Sequence, residues 1–144
     1  MNANISPMCA RIRIDEMVVK PCERLPVWRA PGRLAHLVWA GFARLDSLGW
    51  WEEHGGVLID VPAHEFAERS RQTGNLIWAG VPAGHVIRGV LDSREGAPIL
   101  KVVMRPPTDE ELARFDHPRM PVLAPPLFSA EAIAVLPSPQ REFL

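Results

Sequence analysis

The fold is decided between Val57 and Pro107, where the chain reads VLIDVPAHEFAERSRQTGNLIWAGVPAGHVIRGVLDSREGAPILKVVMRPP. The β-branched run at its start, residues 57–61, is typical of a short strand. Pro62 follows at once and suits the first turn of a helix, where its missing N–H would be unpaired anyway. The sequence therefore predicts a helix over about 62–73 that Gly74 ends, with Glu65 and Arg69 paired four residues apart.

Three further apolar runs follow this predicted helix at residues 76–79, 85–91 and 99–104. Gly80, Pro82 and Gly84 bend the chain after the first run, and a Ser-Arg-Glu-Gly turn separates the other two. The second and third runs predict an antiparallel hairpin.

Upstream of this stretch, the sequence predicts one strand with an irregularity at Asp15-Glu16, formed by Arg11-Ile12-Arg13-Ile14 and Met17-Val18-Val19. Between Pro31 and Leu48, apolar residues recur at three- and four-residue steps, which predicts an amphipathic helix that ends before Gly49. Downstream, Thr108 and Glu111 form a capping-box pattern for a short helix ending near Phe115. Residues 132–136 are apolar enough for a last strand.

These elements together predict an α+β fold, with a small, mostly antiparallel sheet and two to three helices. We expect a single globular domain over residues 1–136 and a frayed C-terminal tail over 137–144. The size of 144 residues suits one ordinary domain.

Composition limits the classes of function. The net charge of −1 argues against general nucleic-acid binding, which needs many clustered cations. No apolar run is long enough to cross a bilayer, and the N-terminal residues do not resemble a secretory signal, so we expect a cytoplasmic protein without a membrane partner. Cys9 and Cys22 lack metal-ligand spacing, and reduced thiols are the expected state.

The histidines are scattered singly, and no metal site is predicted from their spacing. The most suggestive local motif is Trp50-Trp51-Glu52-Glu53, since indoles beside carboxylates could bind a planar or sugar-like ligand or support acid–base chemistry. The alternative is that one tryptophan fills the core while Glu52 and Glu53 remain in solvent. Trp50 and Trp51 are also the predicted contacts of a protein partner, because aromatic side chains often anchor interfaces.

The stretch Asn75 to Ile87, NLIWAGVPAGHVI, resembles a hairpin entry of diverged ADP-ribosyltransferase-like domains over about thirteen residues. Val27-Trp28-Arg29-Ala30 is similar to the first strand of that family, in which the arginine would help to hold the NAD pyrophosphate. The resemblance implies a nucleotide-like ligand, NAD among the candidate cofactors, and Arg29, Trp78 and His85 as ligand-binding residues. Asn75 stands where related domains often carry the catalytic glutamate, so catalysis is in doubt unless Glu65 or Glu68 replaces it. Otherwise both glutamates are predicted to be surface charges of the helix, paired with Arg69 or its neighbours.

The sequence thus favours a small ADP-ribosyltransferase-like domain, catalytically degenerate or not, that binds a nucleotide-like ligand or a protein. The alternative is a non-enzymatic inhibitor or accessory factor that docks through Trp50, Trp51 and the Pro-rich C-terminal segment. A third hypothesis is a degenerate RNase-like fold that uses His64 or His85 with an arginine.

Overall fold

The computed structural model describes residues 10–128 and is built mainly from strands. Strands hold 50% and helices 13% of the described residues, so the predicted α+β class is wrong. The strands are β1 (Arg11–Ile14), β2 (Met17–Val19), β3 (Arg24–Ala30), β4 (Arg33–Arg44), β5 (Val57–Val61), β6 (Glu65–Arg69), β7 (Leu76–Gly80), β8 (Val86–Asp92), β9 (Ile99–Arg105), β10 (Met120–Pro121) and β11 (Leu123–Ala124). The helices are α1 (Leu48–Glu53), which follows a 3₁₀ turn at Leu45–Ser47, and α2 (Asp109–Phe115).

Five strands close into a barrel in the order β3-β4-β9-β8-β5, and β5 returns to β3. All neighbours in this ring are antiparallel except β4 and β9, which run parallel. The seam between β3 and β5 is closed by one bridged pair, Trp28 and Asp60. The two short strands β10 and β11 extend the sheet beside β9 and β8.

The remaining strands form a four-stranded antiparallel sheet in the order β2-β1-β6-β7. The predicted irregularity in the first strand is a tight turn, since Asp15 has a positive φ of 53° and makes β1 and β2 a hairpin. Ile12 and Phe66 from this sheet belong to the same buried cluster as Val27 and Ile59 from the barrel. The two sheets therefore share one apolar core.

The predicted helix between Pro31 and Leu48 is wrong, because most of this segment is the twelve-residue strand β4. Pro31 and Gly32 are the two central residues of the turn from β3 to β4, and Gly32 has a φ of 68°, which glycine adopts without strain. Leu37 and Trp39 are buried in the main core at a spacing of two. A register shift between Trp39 and Phe42 then places Phe42 on that face and Ala43 on the other, where Ala43 joins a second buried cluster. The three- and four-residue apolar steps came from residues on both faces of one long strand.

The predicted helix over 62–73 is also wrong, because its centre is the strand β6. Glu65 does not pair with Arg69; its carboxylate accepts a hydrogen bond of 2.7 Å from Arg13, which lies directly opposite it on β1. Ala67 is a strong helix former, but intrinsic propensity amounts to less than about 1 kcal/mol per residue, and pairing of β6 on both sides by β1 and β7 overrides it.

Other predicted elements are confirmed. Strands occur where the apolar runs at 57–61, 76–79, 85–91 and 99–104 predicted them, and β8 and β9 form the antiparallel hairpin. Thr108 caps α2, with its hydroxyl accepting from the Glu111 amide and the Glu111 carboxylate accepting from the Thr108 amide. The predicted strand at 132–136 and the predicted tail at 137–144 lie outside the described residues. No helix in residues 10–128 is long and apolar enough to span a membrane.

A buried ion pair ties the chain beyond β11 to the barrel. Arg88 on β8 donates to the Asp60 carboxylate on β5, and also to the Ile59 carbonyl at 3.1 Å and the Pro125 carbonyl at 2.7 Å. Asp60, which is fully buried, accepts from the amide of Leu127 at 3.0 and 3.1 Å. We call this arrangement the Asp60–Arg88 clasp.

Candidate functional site

A cavity lies where the four-stranded sheet faces the barrel. Its volume is about 40 Å³, enough for roughly three water-sized groups, since one water needs about 10–15 Å³ by the same measure. Apolar side chains from both sheets, including Phe42, Phe66, Ile87 and Val102, form most of its wall. Its ionisable lining residues are Arg11, Glu68, His117 and Arg119.

Glu68 and His117 form a buried pair at this cavity. Glu68 is 3% exposed and His117 is 4% exposed, and Nε2 of His117 lies 3.3 Å from Oε1 of Glu68. That distance is within ion-pair range, but the alignment falls short of a hydrogen bond, and Nε2 has no hydrogen-bond partner among residues 10–128. A buried polar atom without a partner is costly and rare in proteins. This nitrogen is therefore a candidate contact for a bound group.

Both members of the pair favour their uncharged forms. Burial raises the pKa of Glu68 to about 8, and the nearby positive charge of Arg119 only partly opposes this rise. Burial likewise lowers the pKa of His117, against a backbone hydrogen bond at Arg119 that raises it. At neutral pH the site therefore holds a protonated carboxyl group beside a neutral imidazole.

Two local features fix the relative positions of Glu68 and His117. Glu68 lies on β6, a central strand paired by β1 and β7. Asp116 ends α2 in the left-handed conformation, with a φ of 50°, and turns the chain so that His117 follows directly. The Asp116 carboxylate accepts hydrogen bonds of 3.1 Å from the Ser70 hydroxyl and 2.7 Å from the Gln72 amide, which fixes the end of α2 against the end of β6.

The other ring nitrogen of His117 is held by the backbone of Arg119. Nδ1 lies 2.8 Å from the Arg119 carbonyl oxygen and 3.2 Å from the Arg119 amide nitrogen. The shorter contact is the one that a proton on Nδ1 would make, as a donor to the carbonyl. In that tautomer Nε2 is an acceptor, and the Glu68 oxygen 3.3 Å away is poorly aligned with it.

Arg119 also helps to line a wider surface groove of about 340 Å³, so the cavity and the groove are neighbours. Arg44 and Arg105 line the groove too, but each already has a carboxylate partner, Asp46 at 2.8 Å and Glu111 at 2.7 and 2.8 Å. The Arg119 guanidinium lies 4.2 Å from the Phe42 ring centroid and enters no ion pair in the described part of the chain. Of the three arginines that line the groove, Arg119 is therefore the one without a carboxylate partner among the described residues.

The ligand-binding residues predicted from the sequence lie elsewhere. Arg29 is exposed on β3 of the barrel, and His85 is exposed in the turn before β8. Trp78 is half-buried on β7 of the other sheet, with its carbonyl accepting a 3.0 Å hydrogen bond from Arg114. None of the three lines the cavity or the groove, and their part in ligand binding stays a prediction.

Trp50 and Trp51 lie in the short helix α1. Trp50 is 45% exposed and stacks on the His54 ring, with the ring centroids 4.0 Å apart. Trp51 contacts the Trp50 ring edge-on at 5.1 Å and packs against a small second core. Arg94 covers both indoles, at 5.1 and 4.7 Å from their centroids. We call Trp50, Trp51, His54 and Arg94 the tryptophan cluster. Glu52 and Glu53 are exposed beside it.

The sequence offered little that could have identified the Glu68–His117 pair. Glu68 was expected on a helix surface as a charge paired with Arg69 or its neighbours, and that expectation is wrong. The strand period places Phe66 and Glu68 on one face, which would have suggested burial had the segment been recognised as a strand. His117 follows a well-marked helix end, but nothing in the sequence links it to residue 68.

Comparisons with protein-family models, with characterised proteins and with solved structures found no match to this chain. No group of three or more His, Cys, Asp or Glu side chains that could hold a metal ion occurs within residues 10–128. Cys22 is exposed and free, and Cys9 lies outside the described residues.

Proposed function

We propose that this protein binds a small anionic molecule in the arginine-lined groove and the cavity beneath it. The observation that supports this most directly is the position of Arg119, which lines both spaces and has no carboxylate partner within residues 10–128. Guanidinium groups make paired hydrogen bonds to carboxylates and phosphates, so a ligand with either group suits this position.

The dimensions support a ligand of modest size. The groove, at about 340 Å³, falls within the roughly 300–1,000 Å³ typical of small-molecule sites, whereas the cavity alone does not. A ligand could therefore place its body in the groove and one small group in the cavity. The nucleotide-like ligand implied by the sequence resemblance belongs to this anionic class, although its predicted contacts lie outside the groove. We keep the cytoplasm as the proposed location.

The test is calorimetric titration of the whole chain with inorganic phosphate, propionate, AMP and NAD. We expect at least one of these anions to bind, and Arg119→Met to weaken that binding about tenfold or more, because a charge-assisted contact of about 1.5–3 kcal/mol is lost. Arg24→Met, which changes an exposed arginine of β3, is the matched control and should leave the affinity unchanged.

Two results would contradict the proposal. One is no detectable binding of any of the four anions at millimolar concentration. The other is binding that Arg119→Met leaves intact; if Arg29→Met removed it instead, the site would be the one predicted from the sequence.

A second candidate function, docking on a protein partner, is favoured by the tryptophan cluster. Trp50 is exposed yet already held between His54 and Arg94, so little side-chain freedom would be lost on binding. A partner that co-purifies in stoichiometric amount should be lost on Trp50→Ala and kept on Val57→Ala, an exposed apolar control. Retention by both variants would exclude this surface.

A further inference from the structure

We propose that the cavity receives the carboxyl group of a short-chain carboxylate and that this group binds together with one proton, held between the ligand and His117. This inference rests on the proposed function, and it adds the chemical class of the ligand and the protonation step. It is carried by Nε2 of His117, which has no hydrogen-bond partner in the described part of the chain and lies beside Glu68 in a small, mostly apolar space.

The size and polarity of the cavity limit the chemical groups that it can receive. The cavity accommodates a group of about three to four heavy atoms, and its wall is mostly aliphatic and aromatic. A carboxyl group with its neighbouring methylenes matches this combination. A phosphate dianion matches it less well, because it would lose its water shell with few polar groups to replace it.

With Nδ1 of His117 donating to the Arg119 carbonyl, Nε2 is an acceptor at the cavity that no donor within residues 10–128 satisfies, since the Glu68 oxygen at 3.3 Å is poorly aligned with it. A carboxylate oxygen facing the Nε2 lone pair would be repelled unless a proton lay between them. The protonated Glu68 can donate to the second oxygen of the ligand, so all three groups would then be satisfied.

Arg11 lines the cavity from β1 and Arg119 lines it from the chain after α2. The positive charges of Arg119 and Arg71 oppose a charged imidazole at His117, while Asp116 favours one. An anion placed beside the ring would reverse the balance and favour protonation of His117. The proton comes from the buffer, and no bond other than N–H or O–H changes.

The experiment is calorimetric titration of the full chain with propionate at pH 7.5 in buffers of different ionisation enthalpy. We expect uptake of about one proton per propionate bound and an affinity that falls about tenfold from pH 7 to pH 8. Propionamide, the uncharged analogue, should bind weakly and without proton uptake.

Two variants identify where the proton goes. His117→Gln should abolish the uptake and flatten the pH dependence, because the acceptor nitrogen is gone. Glu68→Gln should retain an uptake near one, because its amide still donates to the ligand as the protonated carboxyl group does. If either variant fails to fold, the proton count of the unmodified protein alone still decides.

The outcomes separate the two proposals. Propionate that binds with no proton uptake, or with uptake that His117→Gln leaves unchanged, overturns this inference. If phosphate or AMP binds through Arg119 while propionate does not, this inference fails and the anion-binding function stands. If no anion binds at all, both fail.

Discussion

Two acid–base pairs with both side chains buried occur within residues 10–128, and they differ in how completely their hydrogen bonds are satisfied. In the Asp60–Arg88 clasp, the guanidinium also donates to two carbonyls and the carboxylate also accepts from backbone amides. In the Glu68–His117 pair, the contact is poorly aligned and one ring nitrogen lacks a partner among the described residues. The first pair has every feature of a structural device, whereas the second has room and unused bonding capacity beside it.

Burial alone therefore does not identify a functional site. Removing charges from water is costly, and the attraction within a buried ion pair offsets that cost only when further hydrogen bonds satisfy both partners. The Asp60–Arg88 clasp has these further hydrogen bonds. The Glu68–His117 pair avoids much of the cost by remaining uncharged, so its donor and acceptor atoms are available to a ligand.

The largest effect is expected from breaking the clasp. Arg88→Met leaves the Asp60 carboxylate buried without its cation, and we expect the free energy of unfolding to fall by about 3–5 kcal/mol. Urea denaturation measures it. Arg44→Met, which removes a partner from the exposed pair with Asp46, is the control and should cost about 1 kcal/mol or less. Equal losses in the two variants would contradict the structural role of the clasp.

The next effect concerns pH. Because the pKa of Glu68 is about 8 in the folded chain and near 4.5 unfolded, the unfolded state releases this proton first as pH rises. This carboxyl group should therefore lower the free energy of unfolding by about 1.4 kcal/mol per pH unit between those values, with little change below or above them. Glu68→Gln should lack this slope.

Urea denaturation of both proteins from pH 5 to pH 8 tests the prediction. The stability of Glu68→Gln relative to the unmodified chain should increase steadily over that range. Parallel profiles would mean that Glu68 is ionised in the folded protein and that the pair resembles the clasp after all.

A smaller effect is expected from adding a methyl group inside the barrel. The interior at Gly89 is tightly packed, unlike the space beside Glu68 and His117. A methyl group added at Gly89 would lie 2.5 Å from Cδ1 of Leu100 and 3.3 Å from Cγ1 of Ile59. Gly89→Ala should therefore lower the free energy of unfolding by about 1–3 kcal/mol. A thermal midpoint equal to that of the unmodified protein would show that the barrel interior is looser than these distances indicate.

The smallest effect comes from a half-exposed carboxylate with the opposite behaviour to Glu68. Hydrogen bonds from Arg105 and Thr108 hold the pKa of Glu111 at about 2, so its stabilisation is complete above about pH 4.5 and is lost as pH falls toward 2. Glu111→Gln should cost about 1 kcal/mol at pH 7, a value reduced for solvent exposure, and less at pH 3. A constant difference between these pH values would contradict the assignment.

Local signals predicted part of this fold well. The strand runs of the central stretch and the capping box of α2 depend on neighbouring residues, and they occur where the sequence indicated. The two wrong helices failed because long-range pairing decided them. β4 is paired along its length by β3 and β9, and partial burial of both faces hides the period of two.

The candidate site was harder to predict than the fold. Glu68 and His117 are separated by 49 positions, and they meet only because Asp116 joins the end of α2 to the chain after β6. No spacing rule connects a strand carboxyl group to a histidine beyond a helix. Trp50 is exposed and Trp51 is partly buried, whereas the sequence left open which tryptophan would fill the core.

The barrel closes between β3 and β5 through the single bridge of Trp28 and Asp60, whereas β5 and β8 share five paired residues. The indole N–H of Trp28 is buried at this seam and lacks a hydrogen-bond acceptor within residues 10–128. Local opening should cost least where so few bonds must separate. Deuterium should accordingly replace amide hydrogens along this edge before those of the β8–β9 hairpin, and the fluorescence of Trp28 should report the same breathing motion.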